Sequence, residues 1–257
     1  MKVVFHEKYF EVYASDPAAS KGRLEPTVDR MKKEETFEFV KPEVADKKDI
    51  LRAHTQSHYQ HIKSRSHLYE LAALSAGGAI KTAKLAYKEK DGVFGLIRPP
   101  GHHASRDSAW GFCFFNNMAV SLMRLYAEGK IKSAFILDFD LHTGDGNINI
   151  MEGREDIKVE ILNPSASSEE EYLEIVKNRF EEVENVDILA ASAGFDQGLD
   201  DWGDLLSPDA YETMGKWMKE KSSELCEGRR FALLEGGYSY DRVAINCIAF
   251  CKGFGEF

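Results

Sequence analysis

Four short apolar, β-prone runs in this chain each lead into a glycine-bearing turn that carries ionisable or hydroxyl side chains, and helical patterns lie between them. The runs cover residues 92–97, 133–137, 186–190 and 230–233. Runs this short and apolar suit strands buried on both faces, the condition of a parallel sheet covered by helices. Further strands are expected near 3–5, 37–40 and 159–162, and helices near 26–32, 46–53, 68–88, 117–128, 169–184, 208–226 and 242–251. This alternation predicts an α/β fold: a single domain over residues 1–257, three layers α/β/α, with a mostly parallel central sheet. Neighbouring parallel strands end at one edge, so side chains that follow distant runs can meet there.

The turn Asp138-Phe-Asp-Leu-His-Thr-Gly-Asp-Gly146 places three carboxylates and an imidazole just beyond the second run. In a period-2 strand Asp138, Asp140 and His142 point to one side. Asp140 and His142 can then reach one ion while Asp138 stays close enough to orient a neighbour. Taken alone, the segment also reads as an ordinary polar turn.

The turn Arg98-Pro-Pro-Gly-His-His-Ala104 presents His102 and His103 on a backbone stiffened by two prolines and a glycine. An imidazole with its ordinary pKa of ~6.5 accepts and returns a proton at neutral pH. Paired histidines also occur in surface loops, but Asp138 and Asp145 are not both needed as metal ligands. One carboxylate behind each histidine would fix its tautomer and set its basicity.

The third turn ends in Asp196, within Ala191-Ser-Ala-Gly-Phe-Asp196, and the fourth, Leu234-Glu-Gly-Gly-Tyr238, offers a phenol that donates one hydrogen bond. His54, His58 and His61 read as a solvated or partly packed helix face, because no third ligand has a clear placement beside them. Cys113, Cys226, Cys247 and Cys251 lack the paired spacing of a zinc ribbon and read as buried thiols.

At 257 residues and 43% hydrophobic, the chain is long enough to bury a substantial core. A net charge of −10 argues against a nucleic-acid partner and tilts the substrate toward cations. There is no apolar run of about 18 residues and no basic-apolar leader, so a cytoplasmic enzyme without a membrane partner is expected, as a monomer or simple homo-oligomer.

Taken in order, RPPGHHA, GFCFFNN (111–117), DFDLHTGDG, SAGFD and LEGGY resemble the zinc-dependent histone deacetylase superfamily, which includes acetylpolyamine amidohydrolases. The resemblance runs from about Lys2 to the C-terminus and is weaker before Gly92. It implies an arginase/deacetylase-like fold and hydrolysis of the amide of an acetylated amine, either acetyl-lysine or an acetylpolyamine. By the same resemblance Asp140, His142 and Asp196 bind the zinc, and His102 and His103 are backed by Asp138 and Asp145 respectively. Tyr238 would polarise the substrate carbonyl, and Phe112, with Gly111 beside it, would form one wall of the acyl-amine channel.

The chemistry is coherent, because an amide is a poor electrophile: the site has to make water more nucleophilic and stabilise an oxyanion. Zinc with three protein ligands does both. Two carboxylates and an imidazole also suit Fe²⁺, Co²⁺ or Mn²⁺. His103 is the candidate general base, with His102 as its more basic partner or as acid to the leaving amine.

Thr143 stands where family members usually carry a second histidine after the zinc ligand, so the surroundings of the metal are expected to differ. The short stretch 163–168 omits a loop that supplies the opposite aromatic wall in relatives, so a wider or differently closed pocket is expected. The stretch between His58 and Leu68 is likewise too brief for a long rim loop. Two alternatives stand beside the deacetylase reading. One is an acyl-amine-binding module of the same fold without turnover. The other is a binuclear ureohydrolase, which would need extra bridging acids near the metal strand.

Overall fold

The computed structural model describes residues 1–256. Its strands are β1 (Lys2–Val4), β2 (Glu38–Val40), β3 (Gly92–Gly95), β4 (Ser133–Asp138), β5 (Lys158–Leu162), β6 (Leu189–Ala193) and β7 (Arg230–Leu234). Among the described residues they form one sheet in the order β2-β1-β3-β7-β6-β4-β5, and every adjacent pair is parallel. β3, β6 and β7 are buried along their whole length, which is why they carry no polar alternation.

The helices are α1 (Glu25–Met31), α2 (Lys47–Ala53), α3 (Gln56–Lys63), α4 (Ser66–Glu89), α5 (Asn117–Ala127), α6 (Asp145–Met151), α7 (Glu169–Glu182), α8 (Pro208–Cys226) and α9 (Tyr240–Phe254). Their starts are written locally. Asn116, Ser168 and Ser207 each accept a hydrogen bond from a first-turn N–H of α5, α7 and α8, and Pro208 opens α8. Helices α2 to α5 pack on one another, as do α1, α7, α8 and α9, and the sheet lies between the two groups. The three-layer α/β expectation therefore holds.

Two helices were not expected. α3 is short and polar, and Thr55 starts it by capping the His58 N–H; α6 begins within the glycine-bearing metal turn. His54, which ends α2, and His58 of α3 consequently belong to different elements and are buried, more fully packed than expected, while His61 is exposed.

The sheet order is what builds a site. β3, β7, β6 and β4, the four strands that precede the chemically rich turns, lie side by side. Their register aligns their ends, with Asp138 opposite Ser192 and Ala193 opposite Leu234. No helix among the described residues is long and apolar enough to cross a membrane.

Candidate active site

Beyond β4 and β6 the chain brings Asp140, His142 and Asp196 together, with one donor atom of each within 4.8 Å of the others. His142 Nδ1 lies 3.3 Å from Asp140 Oδ1 and 3.5 Å from Asp196 Oδ2. The carboxylates are buried, while the His142 side chain is 41% exposed, so the cluster opens on that side. Asp140 Oδ2 accepts the Gly236 N–H at 2.8 Å, and Asp196 Oδ1 accepts the Leu141 N–H at 3.1 Å. Asp196 Oδ2 is buried with no hydrogen bond of good geometry, its nearest basic atom being His142 Nδ1 at 3.5 Å, so a cation seated among these donors would offset its burial. Burial and the Asp140 charge push the Asp196 carboxyl up to about 6, and the adjoining carboxylates of Asp140 and Asp196 lift His142 to about 10. These donors suit a divalent cation, which would take the place of the proton they share. At Gly236 a Cβ would come 2.4 Å from Asp196 Oδ2 and 2.5 Å from Asp140 Oδ2, so only glycine lets the β7 turn pass this close.

The histidine pair arrives from the turn after β3, with ring centroids 4.0 Å apart. His102 Nδ1 lies 3.4 Å from Asp138 Oδ2 and its Nε2 3.6 Å from Asp140 Oδ1. His103 Nδ1 lies 2.6 Å from Asp145 Oδ1. The two imidazoles diverge in basicity. Burial opposes the His102 cation, yet Asp140 and Asp138 hold its pKa well above the usual histidine range. Burial and the neighbouring His102 lower His103 to about 4, against the pull of Asp145.

Glu235 escaped the sequence reading, although it follows a buried strand just as the other acids do. Its Oε2 accepts the N–H groups of Gly101 at 2.6 Å and His102 at 3.1 Å and so pins the histidine turn to β7. His102, Cys113 and Glu235 are close enough to resemble a second metal group. Cys113 Sγ accepts the His103 N–H at 3.4 Å and Glu235 Oε2 holds the turn, while Glu235 Oε1 is buried without a hydrogen-bond partner. Buried Arg23, also missed, donates to the Gly237 carbonyl at 2.9 Å and supports the Tyr238 turn. Asn147 donates to Asp138 Oδ2 at 3.1 Å and Ser192 Oγ at 3.0 Å, orienting the acid behind His102.

One cavity of about 120 Å³ is lined by His102, His103, Asp140, His142, Tyr238, Gly111 and Phe112, together with Trp110 and Trp202. Phe112 meets the Tyr238 ring edge-on at 6.0 Å, and Trp202 stacks on Tyr238 at 4.0 Å with 27° between planes. A tryptophan of the β6–α8 connection thus lines the slot beside Tyr238 and Phe112, in keeping with the expectation of a wider or differently closed pocket. Trp110 stacks on His103 at 3.9 Å and donates its indole N–H to Asp145 Oδ2 at 2.8 Å. Gly111 has φ +57°, and a Cβ there would lie 2.3 Å from His103 Cδ2. Burial pushes the Tyr238 phenol far above its ordinary range, so it stays a proton-bearing donor. Thr143 is exposed, with its carbonyl accepting the Asp145 N–H at 2.8 Å, and takes no place in the cavity wall.

The model of the histone deacetylase domain matches residues 18–160, more than half of the chain. The chain belongs to the histone deacetylase family. Within that family it is similar to a probable deacetylase of Archaeoglobus fulgidus, 29% identical over 93% of this chain and 81% of that protein. It is also similar to histone deacetylase 5 of Arabidopsis thaliana, 30% identical over 82% of this chain but only 38% of the plant protein. The crystal structure of the HDA15 HD domain superposes with a TM-score of 0.84 at 20% identity, covering 98% of this chain and 88% of that one, which establishes the shared fold. In this family member Asp140, His142, the histidine pair and Tyr238 line one cavity, and Asp196 lies beside it with a donor atom within 4.8 Å of those of Asp140 and His142.

Proposed function

We propose that this protein is a metal-dependent deacetylase that hydrolyses the amide of an acetylated primary amine, either an acetylpolyamine or acetyl-lysine. Relatives named as deacetylases support the reaction class. The observation that carries the reading is the convergence of Asp140, His142 and Asp196 as three metal donors, with Asp140 and His142 in a cavity shared with His102, His103 and Tyr238. Asp140, His142 and Asp196 would hold Zn²⁺, which when bound lowers the pKa of water and polarises a carbonyl.

The chain's own groups supply the remaining steps. With Nδ1 committed to Asp145, His103 has Nε2 left to take the proton of the attacking water. His102, with Nδ1 3.4 Å from Asp138 Oδ2, is placed to offer a proton for the leaving amine. The Tyr238 hydroxyl donates to the oxygen on which charge develops. Phe112, Trp202 and the Tyr238 ring bind the methylenes of the amine and exclude water. The net charge of −10 favours approach of a cationic substrate. Residues 1–257 acting as one catalytic domain, a cytoplasmic address and a monomeric or simple homo-oligomeric state complete the reading.

The test is hydrolysis of a fluorogenic acetyl-lysine amide and of N-acetylated putrescine, cadaverine and spermidine by metal-stripped protein, before and after one equivalent of Zn²⁺. Turnover that appears only with metal supports the reading and ranks the amines. Stoichiometric metal binding without turnover on any member favours the binding-module alternative.

A further inference from the structure

We infer that Asp201 is a positioning residue that holds Trp202 against Tyr238, and that Trp202 so held is the specificity wall admitting slender, unbranched acyl-amine chains. Neither residue belongs to the metal, histidine or tyrosine machinery, and the inference rests on the deacetylase reading only for the chemical identity of what enters the slot. One carboxylate serves two loops. Asp201 Oδ1 accepts the N–H of Trp202 at 2.8 Å, and Oδ2 accepts the N–H groups of Tyr238 and Ser239, each at 2.8 Å. The first loop connects β6 to α8 and the second connects β7 to α9; their bases are joined by the Phe195 N–H donating to the Gly236 carbonyl at 3.1 Å, and the Asp201 carboxylate ties them again beside Trp202 and Tyr238. A charged acceptor makes stronger hydrogen bonds to N–H donors than a neutral one, and three donors converging on one group leave it little freedom.

The tie matters because of what Trp202 does. Its ring covers Tyr238 at 4.0 Å, faces the His142 ring edge-on at 6.2 Å and lines the cavity, yet it is 52% exposed. An indole that remains half in water has little core contact to fix it, so its placement depends on its backbone and on the Tyr238 ring. With Phe112 edge-on to Tyr238 at 6.0 Å, the slot has aromatic rings for walls. Flat rings around about 120 Å³ accept a chain of methylenes and meet a branch with steric conflict.

Two measurements test this. In hydrogen exchange, Asp201→Ala should accelerate the amides of Trp202, Tyr238 and Ser239 selectively, with Asp201→Asn, which keeps one acceptor oxygen, falling between it and the parent. Unchanged exchange at those three amides, or uniform acceleration across the chain, overturns the clamp. In kinetics on the zinc-loaded protein, Trp202→Ala should raise KM for linear acetylated diamines roughly tenfold while kcat moves much less, with Trp202→Phe restoring most of the loss. It should also admit an acetamide branched beside its nitrogen. An unchanged KM together with continued rejection of the branched amide overturns Trp202 as the wall. Absence of turnover by the parent protein on every amide counts against the deacetylase reading alone, since the exchange measurement still decides the clamp.

Discussion

His103 Nδ1 lies 2.6 Å from Asp145 Oδ1, whereas Asp145 is itself half exposed and carries the Trp110 indole on its other oxygen. The pair thus sits where a buried imidazole meets a partly solvated acid. Such a partner fixes the ring tautomer and leaves Nε2 as the proton acceptor. Asp145→Ala is expected to lower kcat roughly 10–100-fold, the usual cost of removing a group that orients a catalytic one, with zinc binding retained. Steady-state kinetics beside a zinc titration checks this, and loss of metal affinity in step with kcat would assign Asp145 to the metal instead.

Tyr238→Phe removes the phenolic hydroxyl and keeps the ring between Phe112 and Trp202. Removing a single donor to a developing oxyanion typically costs ~10²–10³ in kcat, and KM should stay within a few-fold of the parent because the wall survives. A KM effect equal to the kcat effect would mean that the hydroxyl binds the ground state as strongly as the transition state.

Asp140 and Asp196 are two buried carboxylates beside one imidazole, and a divalent cation would displace the imidazole proton and meet all three donors. Zinc at 100 times its Kd should stabilise the fold by about 2.7 kcal/mol, and a chelator should reverse the gain. Asp196→Asn should abolish this metal-dependent rise in Tm while raising the Tm of the metal-free protein. A variant that keeps the zinc-dependent shift removes Asp196 from the ligand set.

The order of the elements was legible because each buried strand reads as an apolar run and each glycine turn marks its exit. Asp138, Asp140, His142 and Asp196 were legible for the same reason. What the local pattern omits is contact between turns. Glu235 lies in a motif read for its tyrosine, and its partners, Gly101 and His102, are more than a hundred residues earlier in the chain. Trp202 lies in an acidic, glycine-bearing loop with no periodicity, and only the pairing of β6 with β7 brings it over Tyr238. α6 was hidden because its first residues, Asp145 and Gly146, also look like the end of a turn.

His54 gives a pH dependence separate from the metal. Its Nδ1 donates to the Ser105 carbonyl at 2.9 Å and its Nε2 accepts the Asn116 N–H at 2.8 Å, so the buried ring uses both nitrogens in the neutral form. Burial, with the neighbouring His58, lowers its pKa to about 3. An unfolded histidine titrates near ~6.5, so between these values the unfolded chain binds the extra proton and stability falls as pH drops. Each pH unit inside that window removes about 1.4 kcal/mol from this one group, and above it the contribution is constant. His58, also lowered mainly by burial, acts in the same direction. His54→Asn should cost about 1–3 kcal/mol at pH 7, because the Asn116 N–H that caps the approach to α5 loses its acceptor. The same variant should lose less stability than the parent between pH 6.5 and 4. Urea unfolding of both proteins at pH 7 and pH 5 measures the difference, and equal losses on acidification would mean that His54 is not held neutral by the fold.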